Sequence, residues 1–317
     1  MPEGDSLVRL ADRLRPVLEG RRLTRTDFRV PQLAVLDLTG RTVEEVRPRA
    51  KYLLMRAGDL TVVSHLKMEG SWEAYPLIGP AGGPQAPRWR HPGWQARCVL
   101  ETAEHQVVGF QLGLLEVVPT SGVEDRLGFL GPDLLDPAWQ DPAQAEGLLA
   151  EGVRRLRQDP ERPIGLALLD QRLVSGIGNI YRCETLLLAG LDPHRPVSSV
   201  PDLPGLVLLA RDLLRANVSP HPGGDLRTTT GVEPRAEAPY GVRVLVPTTT
   251  GGPAEAAGRR TPIRGLPTRR TPAYWVYGRE HEGCLRCGGP VRREDYVDPR
   301  DPASGARQLW WCPRCQR

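Results

Sequence analysis

The 317-residue sequence has no apolar run near the about 18 consecutive residues that a membrane-spanning helix needs. Its first 20 residues carry acids and lack the apolar segment of a signal peptide. Neither sign of charge dominates, since 42 basic and 38 acidic residues leave a formal net charge of +4. That balance permits nucleic-acid binding without requiring it. We therefore expect a cytoplasmic protein with no membrane partner.

Cysteine is scarce, and its six copies are unevenly placed. Cys98 and Cys183 stand alone, whereas the last 34 residues hold two Cys-x2-Cys pairs separated by 24 residues. Inside a cell this clustering favours metal binding over disulfides, and paired knuckles that close a hairpin are typical of tetrahedral zinc. The zinc is either a plain structural staple or a means of positioning the arginines around it. The predicted ligands of this one structural zinc ion are Cys284, Cys287, Cys312 and Cys315.

Patterning along the chain predicts an α+β protein of several domains. Leucines at helical spacing, from Leu7 to Leu18, predict an amphipathic helix that ends near Gly20. Short β segments separated by turn residues follow, and they predict a β-sandwich or barrel. The expected segments are Thr42–Val46, Tyr52–Arg56, Leu60–Leu66, Ala96–Glu101, Val107–Phe110 and Leu114–Val118. Pro76–Pro92, rich in Gly, Pro and Arg, is expected to be a long loop.

A helical region follows, because leucines recur at helical spacing within residues 145–157, 163–171, 180–190 and 203–216. Gly176 and Gly178 allow a tight double turn between the second and third of these segments. A new helix is expected to begin near Asn179, where backbone N–H groups and the Asn179 amide would make an anion site. An ordinary turn between helices with an asparagine cap is the alternative interpretation.

These patterns divide the chain into five segments. They are a helix plus β-sandwich in residues 1–120, a linker in 121–142, a helix-two-turn-helix region in 143–230, an insertion in 231–268 and a zinc-finger β-hairpin in 269–317. The insertion is expected to be mobile, with a short strand at Val242–Val246, and it is a candidate for substrate selection.

The first six residues have the composition of an active site. Removal of Met1 is expected because a proline follows it, and the chain would then begin with a secondary amine. An α-amino group has a pKa of about 7.7–8.0, so a useful fraction is an unprotonated nucleophile at cellular pH. Glu3, beside that amine, could act as a general acid or base. The alternative is that Pro2 and Glu3 merely begin a helix.

Seven motifs in this order resemble those of the formamidopyrimidine-DNA glycosylase and endonuclease VIII family, and its endonuclease VIII branch in particular. Their order along the whole chain is far more specific than any single motif. They are Met1–Gly4, Arg49–Leu54, Ser64–Met68, Leu130–Leu135, Gly176–Tyr181, Trp275–Arg279 and the paired cysteines.

The resemblance implies a bifunctional DNA glycosylase and AP lyase of base excision repair. Pro2 would attack C1′ of a damaged nucleoside and form an iminium, while Glu3 would transfer protons at the sugar. Lys51, expected on a β element, would contact phosphate near the lesion, although a solvated strand lysine is the commoner situation. β-Elimination, or β,δ-elimination, would then cut the strand.

The resemblance also implies four DNA-binding residues, His65, Met68, Asn179 and Arg307. Met68 would fill the gap left by a flipped-out nucleotide, whereas the sequence alone favours a buried core methionine. Asn179 and Arg307 would bind backbone phosphate. The implied partner is damaged double-stranded DNA, bound in a cleft between the two larger domains by a monomer associated with the nucleoid.

Three departures from the family pattern bear on the substrate. Ser6 stands where relatives often have a glutamate, Gly109–Gly113 is short and lacks an arginine, and the 24-residue knuckle spacing is long. An oxidised pyrimidine is the most consistent substrate. The alternatives are a glycosylase for bulky adducts or cross-links, a damage-binding protein without catalysis, and a zinc-bearing structural or regulatory DNA-binding protein.

Overall fold

The computed structural model describes residues 2–218, 227–245, 273–300, 302 and 305–317. The chain forms two compact units, which divide between Phe129 and Leu130, inside the predicted linker. Each unit has its own hydrophobic core. Within the described residues, no helix is both long and apolar enough to cross a membrane. The five-segment division stays a prediction.

The first unit begins with the predicted helix, α1 (Gly4–Leu18). Leu7, Leu14 and Leu18 are at most 2% exposed, because the three- and four-residue spacing places them on one face. That face packs into the core of the β-sandwich, together with residues such as Val46 and Leu53. A buried stripe of this kind fixes the direction in which the helix, and therefore its first residues, can lie.

Two four-stranded antiparallel sheets complete most of this unit. The strands are β1 (Arg25–Phe28), β2 (Glu45–Arg49), β3 (Tyr52–Ala57), β4 (Leu60–His65), β5 (Ser71–Pro76), β6 (Ala96–Glu101), β7 (His105–Phe110) and β8 (Leu114–Pro119). One sheet has the order β2-β3-β4-β8 and the other β1-β6-β7-β5. The short helix α2 (Val123–Leu127) follows the last strand.

The strand registers bring four loops to one end of the sandwich, which we call the loop end. The paired positions there are Arg49, Tyr52, His65 and Leu114 in one sheet and Ser71, Phe110 and Ala96 in the other. Tight connections from β4 to β5 and from β7 to β8 join the two sheets at this end. The β2–β3 turn and the turn before β6 therefore lie there as well.

The predicted strands are present, with two differences. The segment expected at Thr42–Val46 is displaced to β2, because the two-residue turn of Ala50 and Lys51 sets its register against β3. Strands β1 and β5 escape prediction because each mixes polar with apolar residues, and β1 is also only four residues long. Residues 77–92 contain no helix or strand, as expected for the long loop.

The helices of the second unit are α3 (Pro142–Arg157), α4 (Ile164–Ala167), α5 (Asn179–Ala189) and α6 (Leu203–Arg215). Ten of the eleven residues of α5 are buried, so this helix forms the centre of the unit. Helix α4 is shorter than the predicted 163–171. The Asp170 carboxylate accepts the Arg172 N–H at 3.0 Å, which stabilises a turn in place of a continued helix.

Two β-hairpins follow, one of β9 (Val232–Pro234) and β10 (Val242–Val244) and one of β11 (Arg292–Tyr296) and β12 (Arg307–Trp311). The first lies in the insertion that was expected to be mobile. Residues 231–245 pack on the helical core, since Val244 is buried in it and the Tyr240 hydroxyl donates to the Asp202 carbonyl at 2.6 Å, and the mobility of the insertion stays a prediction. The strand expected at Val242–Val246 is β10, and residues 246–268 lie outside the described residues.

Glu184 of α5 fastens the segment that leads into the second hairpin. Its fully buried carboxylate accepts the backbone N–H groups of Trp275 at 2.7 Å and of Val276 and Tyr277 at 2.9 Å. The Thr229 hydroxyl also donates to it. Burial raises the pKa of Glu184, and the four hydrogen bonds oppose that rise. The carboxylate thus satisfies three consecutive backbone donors inside the protein.

We predict that Glu184→Gln lowers the free energy of unfolding by at least about 2 kcal/mol, because an amide N–H₂ group would face backbone donors that need an acceptor. Urea denaturation measures this loss. The matched control is Glu237→Gln, whose side chain is 77% exposed and which we expect to be nearly neutral. Equal stability of the two variants would contradict the role given to Glu184.

Candidate active site

The start of α1 holds the two residues proposed for chemistry. Glu3 is the N-cap residue, its carbonyl accepts the Ser6 N–H at 2.9 Å, and its side chain is fully buried. Pro2 precedes it and is partly exposed. The helix-start interpretation is therefore correct, and it does not compete with the catalytic one. The helix fixes the partly exposed Pro2 next to the buried Glu3.

A second buried acid lies in the same helical turn. The Asp5 carboxylate is fully buried and forms an ion pair with the Arg9 guanidinium at 3.1 Å. Sequence reasoning missed this pair, although an acid and a base four residues apart on a helix are its ordinary signal. Glu3 and Asp5 both place negative charge at the positive end of the α1 dipole.

Lys51 lies in the two-residue β2–β3 turn, and its predicted place on a strand is wrong. Ala50, the first residue of this turn, has a φ of 53°, the left-handed conformation that tight hairpin turns require. Because Lys51 lies in this turn, at the loop end, its side chain is not part of the alternating pattern of the strands. Its positive charge acts on His65, the last residue of β4.

His65 is held in its neutral form. Burial, followed by the positive charges of Lys51 and Lys67, lowers the pKa of His65 to about 4. The Lys67 backbone N–H donates to its Nδ1 at 2.9 Å, which assigns the ring proton to Nε2. The Tyr52 ring packs edge-on against it at 4.9 Å between centroids. His65 therefore presents a neutral N–H donor at the loop end.

Lysine is rare in this chain, which makes the surroundings of His65 unusual. The chain has 42 lysines and arginines, and only two of them, Lys51 and Lys67, are lysines. Both lie beside His65. A lysine ammonium is a compact charge on a flexible stem, unlike the planar arginine fork. Because the sequence contains only two lysines, both positions could have been singled out as candidates from the sequence alone.

Met68 is 59% exposed, so the buried-core interpretation of this residue is wrong. It lies in the β4–β5 turn, against which the β7–β8 loop packs closely. A Cβ atom added at Gly113 would come within 2.5 Å of Lys67 Cγ, so only glycine permits this approach. Phe110 is 1% exposed, and the short loop after it therefore presents no aromatic side chain.

In the second unit, the structure brings Asn179 and Arg307 together. The Asn179 Nδ2 donates to the Gln308 carbonyl at 2.7 Å, and Gln308 follows Arg307 in β12. Arg182 donates to the same carbonyl at 2.9 Å and also to Asn179 Oδ1. Helix α5 begins at Asn179 as expected, and its N-cap is Gly178, so the alternative interpretation of an asparagine cap is wrong. Sequence reasoning gave no signal for the buried Arg182.

The four predicted cysteine ligands meet at the base of the second hairpin. Their sulfur atoms all lie within 4.8 Å of one another, with 4.0 Å between Cys284 and Cys315 and 3.5 Å between Cys287 and Cys312. Four thiolates about 2.3 Å from one tetrahedral metal ion would lie about 3.8 Å apart. The spacing therefore fits a metal ion.

Known proteins match this chain along its whole length. Residues 1–111 match the formamidopyrimidine-DNA glycosylase N-terminal domain, and residues 136–215 match the H2TH domain of the same enzymes. The chain is 39% identical over 320 residues to a probable endonuclease 8 2 of Streptomyces coelicolor, a match that covers 100% of this chain and 94% of that protein. The chain belongs to the formamidopyrimidine-DNA glycosylase family.

Within this family, the higher identities are to proteins of the endonuclease VIII branch. The DNA-(apurinic or apyrimidinic site) lyase Nei2 of Mycolicibacterium smegmatis is 37% identical, with 100% of this chain and 99% of that protein covered. A formamidopyrimidine-DNA glycosylase of Erythrobacter litoralis is 30% identical, again with 100% of this chain and 99% of that protein covered. The predicted family and branch are both confirmed.

The fold is shared with solved structures of the same family. The complex between Lactococcus lactis Fpg and an abasic-site-containing DNA has a TM-score of 0.66 at 22% identity, with both chains covered in full. This likeness concerns the fold. It confirms the predicted α+β architecture of a β-sandwich, a helical region and a C-terminal cysteine hairpin.

We predict that His65 titrates near pH 4 and that Lys51→Met raises its pKa, because a neighbouring positive charge is removed. Between pH 6.5 and 4 the unfolded state binds a proton that the folded state does not, so folding stability falls as pH falls through this range. NMR titration of the imidazole signals measures the pKa in both proteins. A wild-type value near the ordinary 6.5 would refute the assignment.

Proposed function

We propose that the protein is a bifunctional DNA glycosylase and AP lyase that removes damaged bases, chiefly oxidised pyrimidines, from double-stranded DNA. Relatives named endonuclease 8 and AP lyase that match the whole chain support this activity. The observation that carries the chemistry is Pro2 followed by the fully buried Glu3 at the start of α1. Its cellular location at the nucleoid and its monomeric state stay predictions.

The proposed reaction uses the terminal nitrogen of Pro2. Once Met1 is removed, this nitrogen attacks C1′ as the bond from C1′ to the base breaks, and cleavage of the C1′–O4′ bond then opens the sugar ring and leaves an iminium that joins protein to sugar. Glu3 moves protons at the sugar ring and the leaving base. The iminium charge acidifies C2′–H, so loss of that proton expels the 3′ phosphate by β-elimination. Water then hydrolyses the iminium and regenerates Pro2.

The start of α1 acts on this sequence of charges in two opposing ways. The helix dipole favours the unprotonated amine before attack and disfavours the cationic iminium. The fully buried Glu3 beside Pro2 would favour the cation at both stages. Asp5 is already paired with Arg9 and adds less.

We propose that DNA contacts come from both units. The Lys51 ammonium and the neutral His65 Nε2–H would donate to phosphate oxygens, and Met68 would occupy the space of the flipped nucleotide. In the second unit, Arg307 would bind phosphate directly. Asn179 holds the strand that begins with Arg307, and the start of α5 adds backbone N–H groups for an anion.

We also propose that the cysteine cluster holds one structural zinc ion. Four cysteine thiolates are a ligand set that zinc prefers. The Gly289 N–H donates to Cys287 Sγ at 3.4 Å, and a metal-bound thiolate would accept such a hydrogen bond. When bound, the ion would cross-link the two Cys-x2-Cys pairs. It would hold β12, and therefore Arg307, against α5.

The decisive experiment for the function is borohydride trapping on a duplex with one abasic site. Besides the proposed Pro2 nitrogen, the sequence offers only two side-chain amines that could trap the sugar, those of Lys51 and Lys67. We expect the Lys51→Arg, Lys67→Arg double variant to give the covalent adduct, even if DNA binding weakens. A protein with a cleavable N-terminal extension should give at least about 100-fold less adduct until protease exposes Pro2.

Two outcomes would contradict this assignment. Loss of trapping in the double variant at saturating DNA would move the nucleophile to a lysine. No adduct from a processed, metal-loaded protein that still binds the duplex would leave a damage-binding protein without catalysis.

We predict that Cys312→Ser removes the bound zinc and weakens binding to duplex DNA at least about tenfold, because β12 loses its anchor. Zinc content by atomic absorption and affinity by fluorescence anisotropy measure the two effects. Cys98→Ala, at a buried cysteine of the other unit, should keep one zinc ion per chain. Zinc retained at full occupancy in Cys312→Ser would refute the ligand set.

One observation favours a second substrate class. The β7–β8 connection has three residues, and Phe110 before it is buried, so little side chain projects there. A glycosylase for bulky adducts or cross-links would benefit from such a short loop. Incubation with a cross-linked duplex tests this alternative, and failure to separate its strands would leave the oxidised pyrimidine as the substrate.

A further inference from the structure

Trp94 is an exposed aromatic residue at the loop end. Its side chain is 72% exposed, the largest apolar side chain so presented among the described residues. It lies in the 3₁₀ turn Gly93–Gln95, directly before β6. Single exposed apolar residues are common on protein surfaces, so what distinguishes Trp94 is the size of its ring and its place at the proposed binding end.

The turn that carries Trp94 is rigidly built. The Gln95 N–H donates to the Pro92 carbonyl at 3.0 Å, and Trp89 supports the turn from below, 3.7 Å from a Cβ built at Gly93. Trp89 is itself fixed, because its Nε1 donates to Gln106 at 2.5 Å and its ring meets Phe110 edge-on at 5.5 Å. A ring presented on such a base loses little conformational entropy when it binds.

Hydrogen bonding and close packing connect this turn to the turn of Met68. The Gln111 N–H donates to the Gln95 carbonyl at 2.9 Å, and the Gln111 carbonyl lies 3.1 Å from a Cβ built at Gly70. Trp94 and Met68 therefore project from two turns that share one neighbour, Gln111. They are also the two most exposed large apolar residues of the loop-end turns.

The surroundings of Trp94 are basic. The Arg97 guanidinium donates to the Trp94 carbonyl at 2.9 Å, and Arg29 donates to the Gly93 carbonyl at 3.3 Å. Arg88 and Arg90 are exposed in the preceding loop. Three acids lie near this turn and that of Met68: Asp27 is paired with Arg29, Glu73 contacts His91 and the Tyr75 hydroxyl, and Glu69 is exposed beside Met68. Net positive charge around an aromatic ring matches a nucleic acid.

We propose that Trp94 stacks on an unpaired base of the bound DNA, the base left without a partner when the damaged nucleotide leaves the helix. A paired base inside a duplex has both faces covered by its neighbours, so a tryptophan ring can stack only where a face is uncovered. The base opposite the lesion becomes such a base. The nearby arginines would bind the phosphates of the same strand. This inference rests on the proposed function.

The test compares Trp94→Ala with Trp94→Phe and with a matched control, Ile78→Ala. Ile78 is also exposed, at 44%, but it lies after β5, at the opposite end of that strand from the loop end. The probe is a duplex with one uncleavable tetrahydrofuran abasic analogue and 2-aminopurine opposite it. Anisotropy gives the affinity, and 2-aminopurine fluorescence reports stacking of the unpaired base. Thermal unfolding verifies that each variant is folded.

We expect Trp94→Ala to bind about 5- to 150-fold more weakly and to lose the 2-aminopurine response, as expected for one base–aromatic stack. Trp94→Phe should stay within about threefold of wild type, and Ile78→Ala should be unchanged. Equal binding by Trp94→Ala and wild type, or equal weakening by Trp94→Ala and Ile78→Ala, would overturn the proposal.

Failure of this inference is distinguishable from failure of the proposed function. Borohydride trapping with saturating abasic DNA should give the adduct in Trp94→Ala, because Trp94 has no part in iminium formation. A wild-type protein that fails to trap would refute the lyase, whereas a wild-type protein that traps with no role for Trp94 would refute only the stacking contact.

Discussion

The second unit depends on polar side chains of one buried helix that bind the backbone of segments far along the chain. Asn179 and Arg182 of α5 hold the Gln308 carbonyl, and Glu184 holds three consecutive N–H groups that begin at Trp275. Such contacts are costly to leave unmade in a buried setting. They help to specify where the cysteine hairpin lies, together with the apolar packing of Leu309, Trp310 and Trp311 against Cys183 and Leu187 of α5.

The first unit solves a different problem, which is how to present reactive and binding groups on a rigid base. Helix α1 fixes the chain terminus by burying one leucine face, and the sheet registers gather turns at the loop end. Short turns, a positive φ at Ala50 and the close approach at Gly113 leave these groups few alternative positions. The chemistry and the contacts therefore lie on elements whose own packing is already complete.

Features with a local signal could be predicted from the sequence, and features set by long-range register could not. The leucine spacing of α1 and the cysteine knuckles are local patterns, and both appear in the structure. The family resemblance led us to expect Lys51 on a β element, yet the pairing of β2 with β3 places it in the turn between them. Met68 was open to two interpretations, since nothing in its sequence neighbourhood shows that the β4–β5 turn leaves it in solvent. The contact of Asn179 with Gln308 spans 129 positions, beyond any periodicity.

The near absence of lysine has a consequence for how this protein can be handled and modified. Reagents and enzymes that act on amines find only the chain terminus and the two lysines beside His65, while the many arginines are inert to them. Acylation, amine coupling to a sensor surface or lysine-directed cross-linking would therefore fall on the loop end and the terminus. Attachment through the C-terminal end would leave those groups unaltered, and acetylation would act at the loop end alone among the side chains.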